Sequence, residues 1–134
     1  MKGYLLDTNT WIEYFHNRHG VAEHIAALPV DQIFVSEISI AEMTYGAIHS
    51  KNVSRHLAEV DAIADTFPVL TISDVLLDYA EIRHHLFNQN RKNVGDFDIL
   101  IGATAHHYGL TLVTDNLKDF ELMPDLMIEN WVER

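Results

Sequence analysis

Apolar residues along this chain fall into two kinds of run. Short stretches at 3–7, 32–36, 69–72, 110–114 and 126–129 are apolar on consecutive positions, as strands buried on both faces of a parallel sheet are. Between them the spacing turns helical. Residues 9–17 and 21–28 predict one pair of helices, stopped by Pro29, and 36–50 and 54–67 predict a second, ended before Pro68. The stretch 74–90 carries an imperfect stripe of Leu77, Ala80, Ile82 and Leu86. Phe97, Leu100, Ile101, Thr104, Ala105 and Tyr108 mark a further helix, with Gly109 placed to end it. Strands alternating with helices predict an α/β protein, a three-layer α/β/α sandwich around a central parallel sheet of about five strands.

Composition leaves that architecture alone and narrows the chemistry. There is no internal repeat, low-complexity tract or Pro/Gly/Ser-rich linker, so residues 1–134 read as a single domain, long enough to bury one core. Nine Lys and Arg stand against 20 Asp and Glu, for a net charge of −11. That is the opposite of the broad basic surface of a nucleic-acid binder. Carboxylates gathered at a metal site would account for part of the excess, and bound cations would cancel it locally. The rest is a solvated acidic surface. The absence of cysteine excludes thiolate zinc sites, thiol redox chemistry and a disulfide framework. MKGYLLD runs straight into a strand without a leader pattern, and no apolar run approaches the roughly 18 residues that span a bilayer. The expectation is a soluble, cytoplasmic protein with no membrane partner.

In open parallel sheets, ligands bind beyond the carboxyl ends of the strands, where the strand order reverses. Acids fall at those positions. Asp7 closes the first strand in YLLDTNTW, and Glu42 lies one and a half helical turns after the second in SEISIAEMTYGA. Asp96 and Asp98 open the helix GDFDILIGATAHHYG, while Asp115 and Asp119 follow the fourth strand in LVTDNLKDF. All are expected to project towards one edge of the sheet. Carboxylates sharing a cleft repel one another unless a divalent cation lies among them. Oxygen-only ligands favour Mg²⁺ or Mn²⁺, and such an ion can activate water for attack on a phosphodiester. Each acid also has a structural alternative. Asp7 can cap the first helix, Glu42 follows Ser39 at the capping-box spacing, Asp96 or Asp98 can complement a helix dipole, and Asp115 and Asp119 can sit in a solvated turn. Those roles do not explain why the acids gather at one edge.

Other residues have plainer readings. His84 and His85, like His106 and His107, are helix neighbours about 100° apart around the axis and make poor metal pairs. They read as surface or packing residues. Trp11, Tyr14 and Phe15 lie near Asp7, where packing is the first role and stacking on bases a second. A receiver-like signalling module would also place acids and Mg²⁺ at strand ends. It needs an acidic pair after the first strand and a Lys after the fifth, where this chain has Asp7 alone and MIENWVER. A dinucleotide-binding module is weaker still, because no G-x-G-x-x-G follows the first strand.

LLDTN at the start, SEISIAEMTYGA, VGDFDILIGATAHHYGLTLVTDNLKDF and MIENW occur in an order that resembles PIN-domain ribonucleases, most closely the VapC toxins of toxin–antitoxin pairs. The resemblance covers nearly the whole chain. It implies a PIN-like fold and a Mg²⁺-dependent endoribonuclease whose core acids are Asp7, Glu42 and Asp98, with all three holding metal and Asp7 and Asp98 its most direct ligands. The family often carries a fourth acid where this chain has Asn116, so Asp115, Asp119 or a water is left to complete a second metal site. Asn116 and Asp119 are accordingly counted with the catalytic set. Thr8, Asn9, Asp96, Thr114 and Asp115 occupy positions that orient carboxylates or water. The implied substrate is single-stranded or loop RNA, with Arg91 and Lys92, just before the acidic helix, the candidates for steering phosphate; Lys51 and Arg55 are weaker ones. A cognate antitoxin and a homodimer are the implied partners. The alternative that keeps this fold is a PIN-like protein that binds a partner without cutting RNA, which Asn116 would suit.

Overall fold

The computed structural model describes residues 3–134. Five strands form one all-parallel sheet in the order β3-β2-β1-β4-β5: β1 (Tyr4–Leu6), β2 (Ile33–Ser36), β3 (Val69–Leu70), β4 (Thr111–Val113) and β5 (Ile128–Glu129). Each falls inside its expected stretch. The helices are α1 (Thr8–Phe15), α2 (Val21–Ala26), α3 (Glu37–Ile48), α4 (Val53–Thr66), α5 (Leu76–Asn88), α6 (Asp96–Tyr108) and a short α7 (Leu117–Phe120), which the apolar spacing had not predicted.

Alternation along the strands divides the core in two. Leu5, Phe34 and Leu112 face one way and pack with Ile82 and Leu86 of α5 and Ile99, Ile101 and Ala103 of α6. Leu6, Ile33, Val35 and Val113 face the other, against Trp11, Val21, Ile25, Met43, Val60 and Ile63. This is the sandwich that the pattern predicted, with α5 and α6 covering one face and α1, α2 and α4 the other. Trp11 is fully buried and Tyr14 and Phe15 pack beside it, with Phe67 against Trp11, so these aromatics belong to the core. Among the described residues, no helix is long and apolar enough to cross a membrane.

The chain moves outward from β1 through β2 to β3, then returns to lay β4 on the other side of β1. The strand order therefore reverses between β1 and β4, and in open parallel sheets the crevice for ligands lies beyond the carboxyl ends at such a reversal. In register, Leu6 lies opposite both Val35 and Val113. Asp7, Ser36 and Thr114 consequently come next to one another along that edge. Gly109, with φ +64°, occupies the left-handed position that ends α6 before β4 begins.

Candidate active site at the reversal of strand order

Asp7 is buried, and two neighbouring elements fix it. Its side chain caps α1: Oδ1 accepts from the Thr10 N–H at 2.9 Å and lies 2.8 Å from the Thr10 hydroxyl. Oδ2 accepts from the Thr114 hydroxyl at 2.5 Å, across the β1–β4 junction. Burial pushes the Asp7 carboxyl up despite these donors. A carboxylate offers about four lone-pair positions, and three are taken here, so one on Oδ2 remains for a ligand. Capping and site chemistry are thus compatible in one residue.

Glu42 projects from the second turn of α3. The Thr8 hydroxyl donates to its Oε1 at 2.7 Å and stands 2.9 Å from the Ser39 hydroxyl. The capping-box reading of Ser39 and Glu42 is corrected: Ser36 caps α3 through the Ile38 N–H, and Ser39 lies buried inside the helix. Asp98 is half-buried in the first turn of α6. Burial first, then the charges of Asp7, Glu42 and Asp119, holds its carboxyl up at about 6. Asp119, on α7, accepts from the Asn116 amide at 3.3 Å, while the Asn116 N–H donates to the Thr114 hydroxyl at 2.9 Å. Asn116 therefore carries no ligating charge of its own, but ties Asp119 to the threonine that holds Asp7.

Not every expected acid joins this group. Asp96 faces away: its Oδ1 accepts from the Tyr79 hydroxyl at 2.8 Å, with Arg83 at 3.7 Å. Two positions along α6 turn its direction about 200° from that of Asp98. Asp115 is occupied by a two-pronged contact from Arg134, at 2.9 and 2.7 Å, and by Asn130, and these partners hold its carboxyl below the ordinary range. It reaches Asp7 only as a distant charge. Asn9 is exposed, with no hydrogen bond to an acid among the described residues. Arg91 and Lys92 lie in a separate cleft on the far side of the first turn of α6. Thr10 and Ser39 are the residues that the sequence reading missed. The Asp-x-x-Thr spacing was the available signal for Thr10, which stands where a capping residue finds its partner N–H.

All of the donors are oxygens, and a half-buried carboxylate among three others is the environment that a hard cation relieves. The residues therefore fit Mg²⁺ or Mn²⁺. Among the described residues no three acids or histidines are already drawn to metal-holding distance. A cation shared by three of these acids would need their side chains to close inward.

The PIN domain family model matches residues 4–125. The chain belongs to the PIN-domain family. This PIN domain is 33% identical to the tRNA(fMet)-specific endonuclease VapC of Salmonella typhimurium, over 98% of this chain and 99% of that one. It is 35% identical to ribonuclease VapC2 of Haemophilus influenzae, over 98% and 100% of the two. Among solved structures it is similar to the DNA-bound VapBC complex of Salmonella typhimurium, with a TM-score of 0.89 and 32% identity over 98% of this PIN domain and 99% of that chain.

Proposed function

We propose that this PIN domain is a divalent-metal-dependent endoribonuclease that acts as the toxin of a VapBC-type pair. The observation that carries this reading is Asp98, a half-buried carboxylate grouped with Asp7, Glu42 and Asp119 at the reversal of strand order. Mg²⁺ or Mn²⁺ held by Asp7, Asp98 and Glu42 would neutralise the phosphodiester and make a water nucleophilic near neutral pH. The chain itself supplies the positioning. Thr10 and Thr114 fix the Asp7 carboxylate, Thr8 fixes Glu42, and Asn116 orients Asp119 towards the same crevice. Burial and the neighbouring acids push the Asp98 carboxyl up to about 6, and a bound cation would favour its charged form. The relatives named as VapC ribonucleases, and the neighbour solved as a VapBC complex, support RNA as substrate and a cognate antitoxin as partner. Assembly as a homodimer belongs to the same reading.

The test is cleavage of RNA by the purified protein, beginning with tRNA(fMet), the RNA in the Salmonella relative's name. Cleavage should require Mg²⁺ or Mn²⁺, stop in EDTA, and be lost in Asp7→Ala and Asp98→Asn without loss of the folded circular-dichroism signal. Full activity in excess EDTA would refute the metal mechanism. Undiminished activity in Asp98→Asn would refute the site. In cells, induced expression should arrest growth, and co-expression of a small neighbouring reading frame should relieve it.

A further inference from the structure

A molecule of net charge −11 repels RNA over most of its surface, so the place where RNA can approach is set by cations that no carboxylate neutralises. Arg18, Arg55, Arg83 and Arg134 each pair with an acid: Glu13, Glu59, Asp96 and Asp115. Lys51, Arg91, Lys92 and Lys118 have no ion pair among the described residues, and of these Arg91 and Lys92 share one cleft of about 460 Å³ between the end of α5 and the start of α6. Arg83 and Phe87 line it from α5, and Gly95, the cap of α6, and Asp96 line it from the other side. The acid in this cleft, Asp96, is already engaged by Tyr79 and Arg83.

The turn that presents these cations is fixed. Asn90 takes the left-handed conformation at φ 59°, its N–H donates to the Phe87 carbonyl at 3.1 Å, and the Arg91 N–H donates to the Leu86 carbonyl at 2.8 Å. This double closure ends α5 and directs Arg91 and Lys92 into the cleft. Beside them, Phe87 is 59% exposed, a costly position for a large apolar ring, and the Lys92 ammonium lies 4.8 Å from its centroid. Cations set next to an exposed aromatic face are what single-stranded nucleic acid requires: charge for successive phosphates and a surface for a base. The cleft also lies close to the acids. Only the first turn of α6 separates them, with Asp96 and Ile99 on the cleft side and Asp98 on the other. That is about the 10 Å width of a helix.

We propose that this α5–α6 cleft is a subsite for single-stranded RNA beside the bond to be cut, with Arg91 and Lys92 on phosphate oxygens and Phe87 stacked on a base. The proposal rests on the ribonuclease reading and goes further by assigning the surface along which the strand enters.

Two measurements on the intact chain test it. The first is fluorescence anisotropy of a labelled single-stranded oligoribonucleotide of roughly ten nucleotides, in EDTA, over a series of KCl concentrations. Replacing Arg91 and Lys92 together by Gln should flatten the slope of log affinity against log salt by about 1.4, at about 0.7 for each phosphate contact. Phe87→Ala should weaken binding about tenfold and leave the slope unchanged, because stacking releases no counterions. The second is steady-state cleavage, in which the double variant should raise KM for RNA about tenfold with a far smaller change in kcat. An unchanged slope together with an unchanged KM would overturn the subsite. So would a double variant that binds RNA normally but fails to capture the antitoxin, since the cleft would then be a protein-docking surface. The anisotropy arm needs neither metal nor turnover. A chain that cuts no RNA would therefore refute the ribonuclease reading, while the salt slope still decides whether the cleft holds RNA.

Discussion

Asp7 closes a strand, caps a helix and keeps one lone pair in reserve, and the Thr114 hydroxyl makes those roles compatible. Thr114→Val preserves the buried shape while removing the donor. We expect the affinity for Mn²⁺ to fall roughly 10 to 100-fold, measured by calorimetric titration, because the carboxylate loses the partner that aims it. Asp98 provides a second residue-scale expectation. Its carboxyl stands at about 6 in the folded chain against an ordinary 3.8. The folded state thus binds this proton more tightly than the unfolded state does. The resulting stabilisation is complete below the ordinary value, declines as pH rises through about 6, and is absent above it. Asp98→Asn, neutral throughout, should therefore raise the melting temperature in EDTA by more at about pH 7.5 than at about pH 4.5. An equal effect at both pH values would show that Asp98 is not crowded by the other acids. Asp7, Glu42 and Asp98 were legible in the sequence because acids after strands repeat a known pattern. Thr10, Ser39 and the role of Asn116 were not, since neutral hydrogen-bonding side chains carry no periodicity: the Asp-x-x-Thr spacing of Thr10 also reads as an ordinary helix start, and Ser39 and Asn116 acquire their roles only from the Thr8 and Thr114 hydroxyls that the fold brings to them.

Among the elements, α6 carries the most consequence, with Asp98 in its first turn and Gly109 at its end. A Cβ added at Gly109 would meet nothing within 4 Å, so substitution there tests backbone conformation alone. We expect Gly109→Ala to cost about 1 kcal/mol in urea unfolding, the ordinary penalty for a side chain in the left-handed region. At Gly102 the limit is space instead: an added Cβ would collide with the Met123 sulfur, which packs that side of α6. Near its C-terminal end, α6 is fastened to α5 by Asp78, which accepts from His106 Nδ1 at 2.9 Å and His107 Nδ1 at 3.1 Å. Helix geometry argued that adjacent histidines diverge, and the structure adds that a carboxylate set between them reaches both. The strands themselves were visible as apolar runs, but their ends were not. The run at 69–72 shortened to Val69–Leu70 because this edge strand pairs only with Val35 and Ser36. The short α7 has a single turn, too brief for periodicity to register.

For the molecule as a whole, charge and topology pull in opposite directions. A net charge of −11 raises the cost of compactness, and the reversal of strand order concentrates several of those charges in one crevice. A cation bound only by the folded state should therefore stabilise it, by about 2.7 kcal/mol when present at 100 times its dissociation constant. In a thermal-shift series, Mn²⁺ should raise the melting temperature of the parent chain and leave Asp98→Asn nearly unmoved. Equal shifts in both would place the stabilising ion elsewhere on the acidic surface. The layered α/β architecture could be read before any coordinate, since buried parallel strands and amphipathic helices leave opposite signatures. The α5–α6 cleft could be read only as two basic residues, because its aromatic wall and the engagement of its one acid, Asp96, by Tyr79 and Arg83 are properties of packing.

The central place of β1 bears on the order in which the molecule is made. Its first neighbour, β2, follows within about thirty residues, whereas its second, β4, pairs Leu5 with Leu112. Contacts of such long range form late. A nascent chain that stops short of β4 has Asp7 but lacks the Thr114 that aims it, and it has neither Asp119 nor the tether that Asn116 supplies. On the proposed ribonuclease reading an unfinished copy is thus unarmed, and the hazard in the sequence is switched on by the closing of the sheet.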